Sequence, residues 1–132
     1  MVTIKNGKQA VKIAKKIITD WDKEHAIGLY LDSANHLKKS ELIGMGGLDV
    51  CFADPREVLR PALVCAAVGI VLLHNHPSGN VKPSRSDLKA TTRINKACRL
   101  MGIVFDDHII FSRGELFYSM MANNKMKETS RA

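Results

Sequence analysis

Apolar side chains recur along the chain with two different periods, and the change between them marks out helices and strands. Between residues 7 and 19, apolar positions alternate with lysines at helical spacing, which predicts a helix with one buried stripe. Strands are predicted at residues 26–31, 37–45, 70–73, 103–112 and 116–119, of which 26–31 and 70–73 are short apolar runs. The run at 70–73 contains no polar residue, so we expect a central strand that is covered on both faces.

A second helix is predicted to begin at residues 54–57. This segment supplies an aspartate as N-cap, a proline at the first helical position and a glutamate at the third. Its apolar stripe continues to residue 67, and Gly69 is expected to end it. Pro61 lies inside the stripe, and we expect it to kink or restart the helix because proline has no N–H to donate.

A third helix is predicted at residues 84–101, with Gly102 as its C-terminal stop. The polar segment 123–132 predicts a frayed end. The resulting order, α-β-β-α-β-α-β-β, predicts a mixed sheet flanked by helices, an α/β/α sandwich. With 132 residues, of which 45% are hydrophobic, we expect residues 1–132 to form a single domain with its own core.

Cysteine use and hydropathy indicate a cytoplasmic protein. Cys51, Cys65 and Cys98 are odd in number and form no Cys-x-x-Cys pair, so we expect buried, reduced thiols. The longest apolar run, residues 63–73, is about half of the roughly 20 residues that span a bilayer. The first residues lack the apolar stretch of a signal peptide. We therefore expect no membrane association.

The net charge of +7 favours polyanionic partners such as nucleic acid. The basic residues are dispersed, however, and only 5% of the residues are aromatic, which leaves little material for stacking bases. A solvated basic face is the favoured interpretation, with weak nucleic-acid association as the alternative.

The candidate chemistry lies in three side chains within fourteen residues: His74, His76 and Asp87. Two histidines separated by one residue at a strand end point to the same side, so they can share one metal ion. A carboxylate from the first turn of the next helix supplies a third ligand, and the fourth tetrahedral position stays open for water. This pattern predicts one catalytic Zn²⁺ per chain, at the carboxyl end of a strand where α/β sheets place their sites.

Competing interpretations of these residues are weaker. Ser84 and Asp87 also form an ordinary helix-capping pattern, which would be preferred if the two histidines were absent. The letters His-Asn-His do not make an HNH nuclease motif, which is dispersed over a ββα unit. Zinc deaminases need a Pro-Cys-x-x-Cys segment that this sequence lacks.

The spacing His74-x-His76-Pro77, followed by Ser84-x-x-Asp87, resembles the JAMM (MPN+/JAB) metalloprotease family. The segments 55–58, 74–79 and 107–110 narrow the resemblance to its RadC-type branch, labelled DNA-repair protein, over residues 24–119. The resemblance implies a JAB/MPN-like, cytidine-deaminase-like fold. RadC-type proteins usually carry an additional N-terminal helix-hairpin-helix-like region, so we expect this chain to be the catalytic-type domain alone.

The resemblance also implies a role for each site residue. Glu24 lies eight residues before Asp32, as the family's general base does before its aspartate. If the family's roles apply to the matching positions here, zinc-bound water attacks an amide carbonyl with Glu24 as general base. Ser84 then donates a hydrogen bond to the oxyanion. The metal ligands would be His74, His76 and Asp87. The protein is thus expected to be a zinc metallopeptidase or isopeptidase acting on a protein or peptide of unspecified identity.

The sequence contains three further histidines and is compatible with two other functions. His25 and His36 are expected to be surface or satisfied polar residues. His108 lies in a family-like segment and is either in contact with a metal ligand or structural, and the structural role is favoured. The rival function is a DNA-repair-associated nucleic-acid-binding accessory domain with a structural or vestigial metal. A module that binds a peptide tail without cutting it is a third, and the oligomeric state is not indicated.

Overall fold

The computed structural model describes residues 1–46 and 54–126, which hold three helices and five strands in the predicted order. The prediction of a buried thiol at Cys51 and most of the predicted frayed end lie outside these residues. The elements, in chain order, are α1 Gly7–Lys15, β1 Glu24–Leu31, β2 Leu37–Gly46, α2 Pro55–Cys65, β3 Gly69–Asn75, α3 Arg85–Leu100, β4 Val104–Phe111 and β5 Phe117–Ser119.

The five strands form one sheet in the order β2-β1-β3-β4-β5. The β3 and β4 strands are parallel, and the other three neighbouring pairs are antiparallel. This is the mixed sheet that the sequence predicts. As expected from its continuous apolar run, β3 lies at the centre and every one of its residues is buried.

Helices cover both faces of the sheet, which confirms the α/β/α sandwich. Side chains alternate across each strand, so one face of β1 and β3 packs against α1 and the other against α2 and α3. The α1 side is formed by Ile27, Leu29, Val71 and Leu73 among others. The α2 and α3 side includes Tyr30, Ile70, Leu72 and Ile94.

The first helix ends at Lys15, four residues before the predicted end. The N–H groups of Lys16 and Ile17 donate to carbonyls three residues back, at Ile13 and Ala14, so the chain tightens into a turn. Ile17 and the residue after it still pack against the core, which explains why the apolar periodicity extends past the helix.

The second helix ends at Cys65, and the prediction that Gly69 closes it is wrong. Ala66 takes the left-handed conformation at φ 55°, and the N–H of Ala67 then donates to the carbonyl of Ala62 at 2.8 Å. Gly69 instead begins β3. The helix does not restart at Pro61, which lies within one continuous element.

The expectation of reduced thiols is met for the two cysteines within the described residues. Cys65 and Cys98 are free thiols, the first partly buried and the second buried. None of the helices in this part of the chain is both long enough and apolar enough to cross a membrane.

The Ile94 side chain should contribute strongly to stability, because it is fully buried between α3, α2 and the sheet. We expect Ile94→Ala to lower the free energy of unfolding by about 2–5 kcal/mol through the cavity it leaves. The matched control is Leu100→Ala in the same helix, where the side chain is 86% exposed and the change should stay within about 0.5 kcal/mol. Urea denaturation measures both, and equal effects would contradict the described packing of α3.

Candidate metal centre

The pairing of β1 with β3 brings Glu24 beside the two histidines. Ala26 is the antiparallel partner of His74, so Glu24, two residues earlier, lies level with His76 on the same face of the sheet. The strand begins at Glu24, whereas the sequence predicted a start at residue 26. Glu24 is therefore fixed by strand pairing with Gly46 and does not lie in the preceding turn.

The side chains of His74, His76 and Asp87 converge in space. His74 ends β3 together with Asn75, His76 follows the strand, and Asp87 lies in the first turn of α3. The two histidine Nε2 atoms are 3.0 Å apart. The Asp87 carboxylate places Oδ1 at 3.2 Å from Nε2 of His74 and Oδ2 at 3.1 Å from Nε2 of His76.

These distances fit a tetrahedral metal ion. Two ligand atoms bound to zinc at 2.0–2.1 Å lie about 3.3 Å apart in a tetrahedron. The three observed separations of 3.0–3.2 Å are close to this value. With Glu24 included, the possible ligand atoms of the group all lie within 4.8 Å of one another. The residues present therefore fit a metal ion without rearrangement of the backbone.

Glu24 lies slightly outside the group formed by His74, His76 and Asp87. Its Oε1 is 3.9 Å from Nε2 of His74, and 14% of its side chain is exposed. The longer distance suits a group that contacts a molecule in the fourth coordination position and not the metal itself. Burial raises the pKa of Glu24 to about 7, while His76 lowers it and Asp87 raises it further. A carboxyl with a pKa near neutrality can accept and return a proton, and a bound cation would lower that pKa.

Asp87 also caps α3 together with Ser84. The Ser84 Oγ accepts from the N–H of Asp87 at 3.0 Å, and the N–H of Ser84 donates to Oδ2 of Asp87 at 2.8 Å. The capping pattern and the candidate ligand are thus the same side chain. The cap uses the Ser84 hydroxyl as an acceptor, so its O–H proton remains able to donate to another group.

The charges in the site favour an ionised carboxylate. Burial opposes the charge of Asp87, but hydrogen bonds with His74 and His76 outweigh it and hold the pKa of the carboxyl well below its usual range. Complete burial lowers the pKa of His74, against the opposing effect of Asp87. The hydrogen bond to Asp87 raises the pKa of His76. A negative charge is therefore held at the centre of the site.

The rings of both candidate histidine ligands are also held on the side away from the site, by Asn80 and Thr91, to which the sequence assigned no role, and by His108, for which it left two roles open. Nδ1 of His76 is 2.8 Å from the carbonyl of Asn80, and Nδ1 of His74 is 2.9 Å from Nε2 of His108. His108 in turn contacts the hydroxyl of Thr91 at 2.6 Å. The favoured structural role for His108 is incomplete, because its ring is buried and also hydrogen-bonds to a candidate ligand.

Asn75 holds the start of β1 in place. Its side-chain oxygen accepts from the N–H of His25 at 2.6 Å, and its amide nitrogen donates to the carbonyl of Lys23 at 3.0 Å. These two contacts lie on either side of Glu24 in the chain. The amide at the centre of the His-Asn-His segment thus positions the carboxyl that the flanking histidines face.

The remaining polar candidates lie outside the group. His25 is buried, with its Nδ1 at 2.8 Å from the carbonyl of Lys23, and His36 pairs with Asp32 at 3.0 Å. Both histidines are satisfied polar residues, as expected. Arg56 is mostly exposed and forms an ion pair with Asp54.

Comparison with known proteins agrees with the geometry. A sequence model of the RadC-like JAB domain matches residues 4–126. A UPF0758 protein of Aquifex aeolicus (strain VF5) is 38% identical over 116 residues, which cover 88% of this chain and 50% of the relative. UPF0758 proteins of Lactococcus lactis and Streptococcus gordonii are 42% and 40% identical, covering 74% and 82% of this chain and 43% and 49% of those relatives.

The chain spans about half the length of the curated relatives it matches, and their name carries no activity. The match to the domain covers nearly all the described residues and includes all four members of the candidate metal group. The chain belongs to the RadC-like JAB domain family.

Proposed function

We propose that the protein is a zinc-dependent hydrolase of the JAMM type that cleaves an amide bond in a protein or peptide. The observation that carries this proposal is the convergence of two histidine nitrogens and the Asp87 carboxylate, with contacts of 3.0–3.2 Å, beside the partly exposed carboxyl of Glu24. Catalytic zinc sites combine three protein ligands with one open position, whereas structural sites are closed by four. The family includes JAMM metalloproteases, which supports the same assignment.

The donor set favours zinc over the other common divalent ions. Two imidazole nitrogens and one carboxylate oxygen suit zinc, whereas calcium and magnesium prefer oxygen ligands only. A zinc ion held by His74, His76 and Asp87 would supply Lewis-acid chemistry, since it would lower the pKa of a bound water to roughly 7 and polarise a carbonyl oxygen. The carboxylate of Asp87 offsets part of the ion's charge in this buried setting.

Glu24 is the proposed general base. Its carboxyl takes a proton from the attacking water and returns it to the leaving amine, a role that suits a half-buried carboxyl whose pKa is raised by burial and would be lowered by a bound cation. The two hydrogen bonds of the Asn75 side chain hold the backbone on both sides of Glu24. The carboxyl therefore faces the histidines while the strand stays paired.

Ser84 is the proposed donor to the oxyanion. Its Oγ accepts from the Asp87 N–H, which fixes the rotamer, and its O–H proton is then directed elsewhere. A hydroxyl held in this way stabilises developing negative charge better than a mobile one, because no reorganisation is needed during the reaction.

We propose a cytoplasmic setting, which the free thiols of Cys65 and Cys98 support.

Metal analysis tests the site itself. Protein prepared with zinc and freed of excess ion should contain about one zinc per chain. His76→Ala and Asp87→Asn should each lose most of it, since each removes a ligand from the group. Asparagine keeps an oxygen for the Ser84 N–H, so the cap of α3 is retained.

The matched control is His36→Ala, which removes a histidine outside the group and should keep the full zinc content. A wild-type protein that stays free of zinc under these conditions contradicts the proposed cofactor.

Glu24→Gln tests the chemistry apart from the metal. The substitution should leave zinc binding intact and lower the rate of cleavage by about 100- to 10,000-fold, because it removes the base and leaves the ligands. Cleavage is measured on a library of peptide and isopeptide bonds by mass spectrometry. Glu41→Gln, on the neighbouring strand β2, is the control and should cleave like the wild type.

Two results would count against hydrolysis. One is a Glu24→Gln variant that cleaves at the wild-type rate. The other is a zinc-loaded wild-type protein that binds peptides from the library and cuts none, which would favour a peptide-binding module.

A second candidate function is binding of nucleic acid, and the surface of α3 favours it. Outward-facing cations follow one another along this helix, and its one acidic residue, Asp87, is buried. The exposed cations are Arg85, Lys89, Arg93, Lys96 and Arg99. Four of them line a groove along the helix. A row of this kind suits a phosphate backbone.

Salt dependence of DNA binding tests this candidate. Neutralising Lys89, Arg93 and Lys96 to Gln should make the slope of log affinity against log salt shallower by about 2 to 3 for a short duplex. The matched control neutralises Lys8, Lys12 and Lys16, which are exposed on α1 or just after it, on the opposite face of the sheet, and should retain the wild-type slope. Absence of binding at low salt removes this candidate.

A further inference from the structure

Three consecutive hydrogen bonds link the backbone of one candidate ligand to the ring of another. The Thr91 hydroxyl is 2.8 Å from the carbonyl oxygen of Asp87 and 2.6 Å from Nδ1 of His108. Nε2 of His108 is 2.9 Å from Nδ1 of His74. All four residues are buried, so water does not compete for these contacts. This series of hydrogen bonds connects α3 to β4 and β4 to β3.

The direction of each bond follows from which atoms carry protons. A carbonyl oxygen only accepts, so the single proton of the Thr91 hydroxyl points to Asp87. Towards His108 the hydroxyl oxygen can then only accept, and Nδ1 of His108 must carry the proton in that bond. The reverse direction would leave two oxygens 2.8 Å apart with no proton between them.

The same logic fixes the ring of His74. A neutral imidazole carries one proton, and His108 has its proton on Nδ1, so its Nε2 accepts from Nδ1 of His74. The second nitrogen of His74, Nε2, is left with its lone pair directed at His76 and Asp87. Complete burial favours the neutral form of both rings.

His76 reaches the same state by a shorter route. Its Nδ1 donates to the carbonyl of Asn80, so in the neutral ring its Nε2 also presents a lone pair to the site. When both rings are neutral, their Nε2 lone pairs and the Asp87 carboxylate face one another at 3.0–3.2 Å, and this is the protonation state in which histidines and a carboxylate bind a metal. Such a group of acceptors is stabilised by a cation.

We propose that Thr91 and His108 are positioning residues, which hold His74 in the tautomer with its proton on Nδ1 and thereby set the metal affinity of the site. The proposal rests on the metal site of the proposed function and not on hydrolysis. Partners behind a ligating histidine orient its ring and fix its tautomer, and their loss weakens metal binding. Here the partner of His74 is a second histidine whose own tautomer is imposed by a hydroxyl on the helix that carries Asp87.

A purely structural role for Thr91 makes a different prediction. Threonine hydroxyls commonly bond to the carbonyl four residues back in a helix. Thr92 does this with Leu88 at 3.2 Å, at an exposed position. The structure thus supplies a neighbouring threonine with the same backbone contact, and Thr92→Val is the matched control for loss of that contact alone.

The experiment measures zinc affinity by competition with a chromophoric chelator and histidine tautomers by ring ¹⁵N spectroscopy, in the full chain. Thr91→Val, which keeps the side-chain shape and removes the hydroxyl, should weaken zinc binding about 10- to 100-fold. Thr91→Ser, which restores the hydroxyl, and Thr92→Val should bind zinc like the wild type. In the metal-free wild type, His108 and His74 should both carry their proton on Nδ1.

Three outcomes would overturn the proposal: a wild-type His108 with its proton on Nε2, a Thr91→Val variant that binds zinc as tightly as the wild type, or a Thr91→Ser variant as weak as Thr91→Val. The tautomer measurement needs no variant, so it decides the question even if Thr91→Val does not fold. If the variants bind zinc as predicted but the protein cleaves no amide bond, the positioning role of Thr91 and His108 is supported. Only the proposed hydrolysis is then contradicted.

Discussion

The candidate site and the N-terminus of the third helix both depend on the carboxylate of Asp87. It accepts from the N–H of Ser84, which begins α3, and it faces the Nε2 atoms of His74 and His76. A negative charge at a helix N-terminus is stabilised by the helix dipole, so the helix helps to keep this carboxylate ionised. The group that starts the helix is therefore the group that completes the site.

The rest of the site follows from the order of strands. Because β1 lies antiparallel to β3, the beginning of one strand meets the end of the other, and Glu24 arrives beside His76. Because β4 lies parallel to β3, residues on the same face of the two strands are neighbours, and His108 lies behind His74. A mixed sheet thus brings the carboxyl of Glu24 to one side of the histidines and the ring of His108 to the other.

The fold could be predicted from the sequence because each element carries its own apolar period, and the central strand is apolar throughout. The ends were less predictable. The second helix ends with Ala66 in a left-handed conformation, which glycine takes more often than alanine. The sequence therefore predicted that the helix ends at the nearby Gly69, which is too late. The first helix ends by tightening its hydrogen bonds, which leaves no mark on the apolar pattern.

The residues of the site also differ in how far the sequence could predict them. The spacing of His74, His76 and Asp87 is local, so strand alternation and helix capping predicted them as one group. The placement of Glu24 came from resemblance alone, because its contact with His74 joins positions fifty residues apart. The link through Thr91 and His108 depends on how α3 and β4 pack, which no local pattern encodes.

The candidate ligands come from two different layers of the sandwich, the central strand with its loop and the helix that covers it. An ion bound by both layers acts as a crosslink, and its binding free energy adds to the stability of the fold. At a free concentration one hundred times the dissociation constant, this contribution is about 2.7 kcal/mol. The supply of metal in the surroundings would then govern how long each molecule survives proteolysis, whatever reaction the site performs.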